Sequence, residues 1–183
     1  MTDDLSLLID AAHEAGHIAK RYHKRDPRVW DKHGGGGPVT EADLEIDTML
    51  RKSLMAARPD YGWLSEETAD DGARLNHRRN FIVDPIDGTR TFIAGNDDFA
   101  HALSVVENGQ VTAAVVYLPI RDELYAATLG GGATLNGAPL SVSSATDLDG
   151  LRVLTGKPMM APEHWRIPPP RFKRAFRNAL TYR

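Results

Sequence analysis

No cysteine occurs in the 183 residues. That absence excludes disulfides, thiolate zinc sites and a cysteine nucleophile, and it fits a reducing compartment. No apolar run approaches the roughly 20 residues that span a bilayer. Asp3 and Asp4 stand where a secretory signal would be basic. The expectation is a cytoplasmic protein without a membrane partner. Positive charge is not in excess either: the net charge is −3, so no broad attraction to nucleic acid is expected. There is no internal repeat. What the chain does have is an ordinary globular balance, 42% hydrophobic and 26% charged, at a length sufficient for a real core.

The apolar pattern predicts helices first and strands later. Leu5, Leu8, Ala12, Ala15, Ile18 and Tyr22 recur at helical spacing within residues 4–24. The glycine-rich stretch from His33 to Pro38 breaks the pattern. A second helix is expected from Glu41 to Ala57, capped near Thr40 and closed by Pro59. Trp63 to Ser65 and Phe81 to Val83 read as short strands. Residues 99–107 and 110–118 read as a hairpin across Asn108-Gly109, a strong turn signal. Residues 123–128 and 133–135 continue the strands to a turn at Asn136-Gly137, and Leu151 to Leu154 is a further strand candidate. Residues 156–170 are proline-rich and irregular. The tail from Arg171 to Arg183 reads as the start of a basic helix with Phe172, Phe176 and Leu180 on one side. Helices followed by a strand meander predict an α+β fold. The expected division is an N-terminal metal- and phosphate-binding domain over 1–150 and the beginning of a second domain over 151–183.

The densest chemistry lies at Phe81-Ile-Val-Asp-Pro-Ile-Asp-Gly-Thr. An apolar strand ends in Asp84 and Asp87, with Pro85 between them, and a helix start follows at Gly88 and Thr89. Carboxylates are hard oxygen ligands for Mg²⁺, Mn²⁺ or Ca²⁺, and N–H groups at a helix start attract an anion. Two further acidic clusters stand upstream: Asp43 at the start of the second helix, and Glu66 with Glu67 after the Trp63 strand. Taken singly, each has a plain explanation. Asp-Pro-x-Asp-Gly is a common turn, Asp43 a helix-start charge, and Glu66-Glu67 a solvated loop edge. Together they repel unless a cation joins them. Two bound Mg²⁺ ions would turn that repulsion into a site that activates water and orients a phosphate. Thr89 offers a hydroxyl to position the water.

Other candidates carry less. His13 and His17 are spaced i, i+4, yet no HExxH pattern accompanies them. His23 and His33 read as solvent-exposed, and Trp30, Trp63 and Trp165 as packing residues. Lys157 reads as a solvated loop lysine.

Three strings, in order, resemble the inositol monophosphatase family of Mg²⁺-dependent, lithium-sensitive phosphatases. Pro38-Val-Thr-Glu-Ala-Asp43 resembles its Val-Thr-x-x-Asp, and Leu64-Ser-Glu-Glu67 its Ser-Glu-Glu. Val83-Asp-Pro-Ile-Asp-Gly-Thr89 resembles its Asp-Pro-Ile-Asp-Gly-Thr. Gly130 to Pro139 resembles a glycine-asparagine turn of the same family. The resemblance implies the layered sugar-phosphatase fold and a phosphoric monoester hydrolase acting on a small soluble phosphate ester. It implies two or three Mg²⁺ ions per site. Glu66, Asp84 and the Ile86 carbonyl would bind the first, and Asp84 with Asp87 the second. Thr89 paired with Asp43 would act as general base, and the Gly88 and Thr89 amides would hold the phosphate; Glu66 belongs to the catalytic set. Homodimers are common in the family. Arg90-Thr91 stands where inositol monophosphatases commonly have Thr-Asn and is closer to the histidinol-phosphatase and 3′(2′),5′-bisphosphate nucleotidase branches. The family's later Trp-Asp-x-Ala-Ala-Gly string has no match among these residues. The alternative is therefore a fragment or interaction module that binds a cation or phosphate without catalysis.

Overall fold

Asp3 starts the first helix by accepting the Ser6 N–H at 2.8 Å, and α1 runs Asp4–Tyr22. The structure is a computed structural model that describes residues 3–32, 36–144, 146, 152–156 and 178–182. His33, Lys157, Trp165, most of the proline-rich stretch and residues 171–177 lie outside the described residues. The chain divides into two units, 1–140 and 141–183.

In the first unit, a two-stranded antiparallel ribbon follows α1: β1 (Val29–Asp31) pairs with β2 (Pro38–Thr40). Helix α2 spans Glu41–Ala57, the expected limits. Thr40 caps it through a reciprocal box: its hydroxyl accepts the Asp43 N–H, while Asp43 accepts the Thr40 N–H. Seven strands then form one sheet in sequence order: β3 (Gly62–Ser65), β4 (Arg79–Asp87), β5 (Ala100–Glu107), β6 (Gln110–Leu118), β7 (Glu123–Thr128), β8 (Gly132–Leu135) and β9 (Ala138–Pro139). Only β3 and β4 run parallel; every other pair is antiparallel. A short 3₁₀ turn (Ala73–Asn76) precedes β4, and the five-residue α3 (Thr89–Ile93) follows it. Two long helices, the short α3 and a largely antiparallel meander make the α+β fold expected from the sequence. At the β5–β6 turn Asn108 and Gly109 both take positive φ, 49° and 81°, as a tight hairpin requires.

Helices α1 and α2 cover one face of the sheet. Leu8, Ala12, Ala15 and Ile18 of α1 and Ile46, Leu50 and Leu54 of α2 are buried with Phe81, Val83, Leu103, Val105 and Val115. Small residues on α1 let it lie close. A Cβ on Gly16 would come within 2.6 Å of the Tyr117 ring, so an alanine there would push the helix off the sheet. On the other face Ile82 and Val116 are exposed.

Three expectations need correction. His23 is not exposed: 8% of its side chain is accessible, and its ring packs on Phe92 and Phe99 at 5.8 and 5.4 Å. The chain leaving α1 folds over these phenylalanines, which makes the histidine a lid on them. Trp30 is not a packing residue but 44% exposed, because the β1–β2 ribbon is only two strands wide. In the second unit, Asn178–Tyr182 is a strand rather than a helix, paired in parallel with Arg152–Gly156. The ladder to Arg152–Gly156 gives its backbone groups partners that a helix would otherwise have to supply.

Candidate active site

Strand β4 is regular up to Asp84 and irregular beyond it. Asp84 lies opposite Ala102 and Asp87 opposite Ala100, so Pro85 and Ile86 together face the single residue His101. This is a β-bulge, and it re-aims the strand's last carboxylates. Pro85 has no N–H to give to a ladder, which makes it compatible with such a break. Gly88 then turns the chain with φ of 95°. A side chain there would be strained, and its Cβ would approach the Asp98 carbonyl to 3.3 Å. Helix α3 begins at the next residue, and its first amides have no acceptor within the helix.

A cavity of about 400 Å³ opens at this end of the sheet, lined by Gly37, Glu66, Asp84, Ile86, Asp87, Gly88, Thr89 and Arg90. Six of the seven candidate site residues named from the sequence line it. The seventh, Asp43, is fully buried at the start of α2 and touches the cavity wall through Thr89, whose hydroxyl lies 3.5 Å from Asp43 Oδ1. The same hydroxyl lies 3.1 Å from the Ile86 carbonyl. It has one proton, so it serves one acceptor at a time, and Ile86 is the nearer.

Neighbouring polar groups hold Glu66 and Glu67 in place. Ser65 donates its hydroxyl to Asp47 Oδ1 at 2.5 Å and accepts the Glu67 N–H, while Thr68 donates to Asp47 Oδ2 at 2.7 Å. Asp47, 8% exposed on α2, thus fastens both ends of the acidic turn. Sequence reasoning missed it; its spacing of four from Asp43 on one helix face was the available signal. Lys32 was also not assigned. Its Nζ donates to Glu66 Oε1 at 2.6 Å and lies 2.9 Å from Glu67 Oε1, a close ionic contact outside hydrogen-bond alignment.

The charges respond as a crowded acidic site should. Burial, then the charge of Glu66 and a hydrogen bond with it, and then Asp87 and Glu67 push the Asp84 carboxyl up to about 7. The Lys32 hydrogen bond holds Glu66 below its ordinary value. Burial raises Glu67 against the pull of Lys32. Burial also raises Asp43, against its hydrogen bonds from Thr40. Lys32 is half-buried, which works against its charge, but Glu66 and Glu67 more than offset this and raise it.

The donor set is entirely hard oxygen: the carboxylates of Glu66, Asp84 and Asp87 and the Ile86 carbonyl. Such a set suits a hard divalent cation. Two observations fit that use. Asp84 Oδ1 is buried without a partner, and burial together with the negative charge of Glu66, Asp87 and Glu67 raises the Asp84 carboxyl far above the ordinary carboxylate range. Among the described residues, no three acidic or imidazole groups are already gathered on one point. Unneutralised carboxylates repel, and Lys32 holds Glu66.

A sequence profile described as the inositol monophosphatase family matches residues 2–178. The chain belongs to the inositol monophosphatase family. It is 33% identical over 153 residues to the Nus factor SuhB of Xylella fastidiosa, covering 83% of this chain and 54% of that protein. It is 36% identical over 159 residues to the inositol-1-monophosphatase of Rhizobium meliloti, covering 84% and 58%. It is 37% identical over 148 residues to the histidinol-phosphatase of Chlorobaculum parvum, covering 80% and 56%. Among solved structures, the Thermotoga maritima IMPase superposes with a TM-score of 0.84 at 29% identity, covering 98% of this chain and 68% of that one. The layered fold implied by the motifs is therefore the fold of the family. The chain spans little more than half the length of these curated relatives. No helix among the described residues is long and apolar enough to cross a membrane.

Proposed function

We propose that the protein is a Mg²⁺-dependent phosphomonoesterase for a small soluble phosphate ester, with residues 151–183 belonging to a second domain. The observation that carries this reading is the single cavity lined by Glu66, Asp84, Asp87 and Thr89, with Asp43 behind Thr89. Family membership and relatives named inositol-1-monophosphatase and histidinol-phosphatase support it.

Glu66, Asp84 and the Ile86 carbonyl would hold one ion, and Asp84 with Asp87 a second. Bound there, divalent cations supply Lewis-acid activation of water and neutralise charge on phosphate oxygens. The chain's own residues do the rest. With the Ile86 carbonyl engaged by a cation, the Thr89 hydroxyl would be left with Asp43 Oδ1 as its acceptor. Thr89 Oγ1 can then accept a hydrogen bond from water while its proton rests toward Asp43. Burial raises the basicity of Asp43 for that task. The amides of Gly88 and Thr89, at the start of α3, would favour an anion over a neutral group. Arg90, at the rim of the same cavity, adds the positive charge that favours a substrate with a second anionic group.

The second reading is a cation- or phosphate-binding module without catalysis. The Lys32 contacts favour it, because the chain's own ammonium already serves Glu66 and Glu67. Phosphate release from adenosine 3′,5′-bisphosphate, inositol phosphate, histidinol phosphate and fructose 1,6-bisphosphate separates the two. Release that needs Mg²⁺ and falls with lithium supports the enzyme and names its branch. Mg²⁺ binding with no release on any of the four supports the module.

A further inference from the structure

We infer that His101 is a positioning residue for the metal site, through its hydrogen bond to the Pro85 carbonyl at the centre of the β4 bulge. The inference rests on the metal reading above and goes beyond it, since His101 contributes no ligand. Its side chain is fully buried. Nδ1 lies 2.5 Å from the Pro85 oxygen, and a carbonyl only accepts, so Nδ1 carries the proton. Nε2 is then a bare acceptor, buried with no partner. A phenylalanine or leucine would fill the same space, beside Phe99 and Tyr117 at 6.2 and 6.4 Å, without leaving an acceptor orphaned. An orphaned buried acceptor is costly, and what the imidazole supplies in return is the Nδ1–H.

The register shows why that donor is needed there. His101 is the one β5 residue opposite the two bulge residues Pro85 and Ile86. A bulge leaves its extra residue outside the ladder, and the His101 ring supplies the Pro85 carbonyl with the partner the ladder does not. Fixing that carbonyl fixes the plane of the Pro85–Ile86 peptide. This plane anchors the N-terminal side of Ile86, whose carbonyl is the next along the chain, and it lies between the Asp84 and Asp87 carboxylates. Outer-shell partners of this kind hold ligand geometry.

The test compares the wild-type chain with His101→Asn, His101→Gln and His101→Phe. Asparagine carries its amide nitrogen on Cγ, where Nδ1 sits; glutamine places it one bond further out; phenylalanine has none. Two readouts are taken on each: amide hydrogen exchange at Ile86, Asp87 and Gly88 by NMR, and Mg²⁺ affinity by calorimetry. His101→Asn should keep exchange within about threefold of wild type, while Gln and Phe raise it about tenfold or more. Mg²⁺ affinity should follow the same division, falling about tenfold for Gln and Phe. A merely structural role would lower the melting temperature of Asn and Gln alike without separating them at the bulge. Equal exchange in the Asn and Gln variants overturns the inference, and that pair decides even if the Phe variant does not fold. If wild type binds no Mg²⁺, the metal reading fails, and the exchange data still decide whether His101 holds the bulge.

Discussion

The two halves of β4 are built to different ends. From Arg79 to Asp84 the strand keeps unbroken register with β5 and pairs with β3 on its other side. Its inward residues Phe81 and Val83 are sealed under the helices. From Asp84 to Asp87 the register slips, and the residues turn acidic. The first half pairs with β5 throughout and with β3 over Asn80–Val83, and it has an apolar face to bury. The second half gives up part of the ladder to direct carboxylates and a carbonyl at one cavity. The regular half thus supplies the stability on which the irregular half depends, and a substitution should reveal which half it struck.

Phe81→Ala should have the largest effect. Emptying a fully buried aromatic site costs about 3–5 kcal/mol, read as a lower urea midpoint. In the other half, Asp87→Asn should do the opposite. Asp87 is exposed, so stability should stay within about 0.5 kcal/mol of wild type. Mg²⁺ affinity should nonetheless fall on the order of a hundredfold, and with it turnover, as calorimetry and phosphate release would show. An Asp87→Asn chain that binds Mg²⁺ like wild type would erase the distinction between the halves.

The pH dependence sharpens the contrast. Asp84, pushed from 3.8 up to about 7, keeps in the fold a proton that the unfolded chain has lost. The folded state binds more protons in that window, so this carboxyl makes stability fall as pH rises from about 4 to about 7. Burial pushes His101 down to about 4 from 6.5, against its bond to Pro85. There the unfolded chain binds the extra proton, so stability is lost as pH falls from about 6.5 to about 4. The two slopes oppose each other. Urea unfolding across this range should show Asp84→Asn gaining stability as pH rises, and His101→Asn losing it. Parallel profiles for the two variants would contradict both assignments. Among the folding variants, a smaller loss than that of Phe81→Ala is expected for Thr40→Ala, which removes the α2 cap and costs about 1–2 kcal/mol by the same unfolding measurement.

The legible part of the molecule was whatever its local sequence determines. Thr40 and Asp43 mark a helix start by residue type, and Asn108-Gly109 marks a hairpin because both positions need positive φ. Asp84-Pro-Ile-Asp-Gly-Thr89 announces a broken strand and a turn within six residues. The missed residues work across distance. Asp47 matters because Ser65 and Thr68 fold back onto α2. Lys32 matters because the ribbon carries it to Glu66, and His101 because a bulge in another strand faces it. Nothing adjacent to any of the three in sequence states its partner. The tail strand was misread for the same reason: Asn178–Tyr182 gains its identity from Arg152–Gly156.

The most direct test of the account is a Mg²⁺ titration of the wild-type chain by calorimetry at pH 6 and pH 8. Saturable binding that is tighter at pH 8 is expected, because Asp84 must give up its proton to serve as a ligand. No saturable binding, or equal affinity at the two pH values, would contradict it.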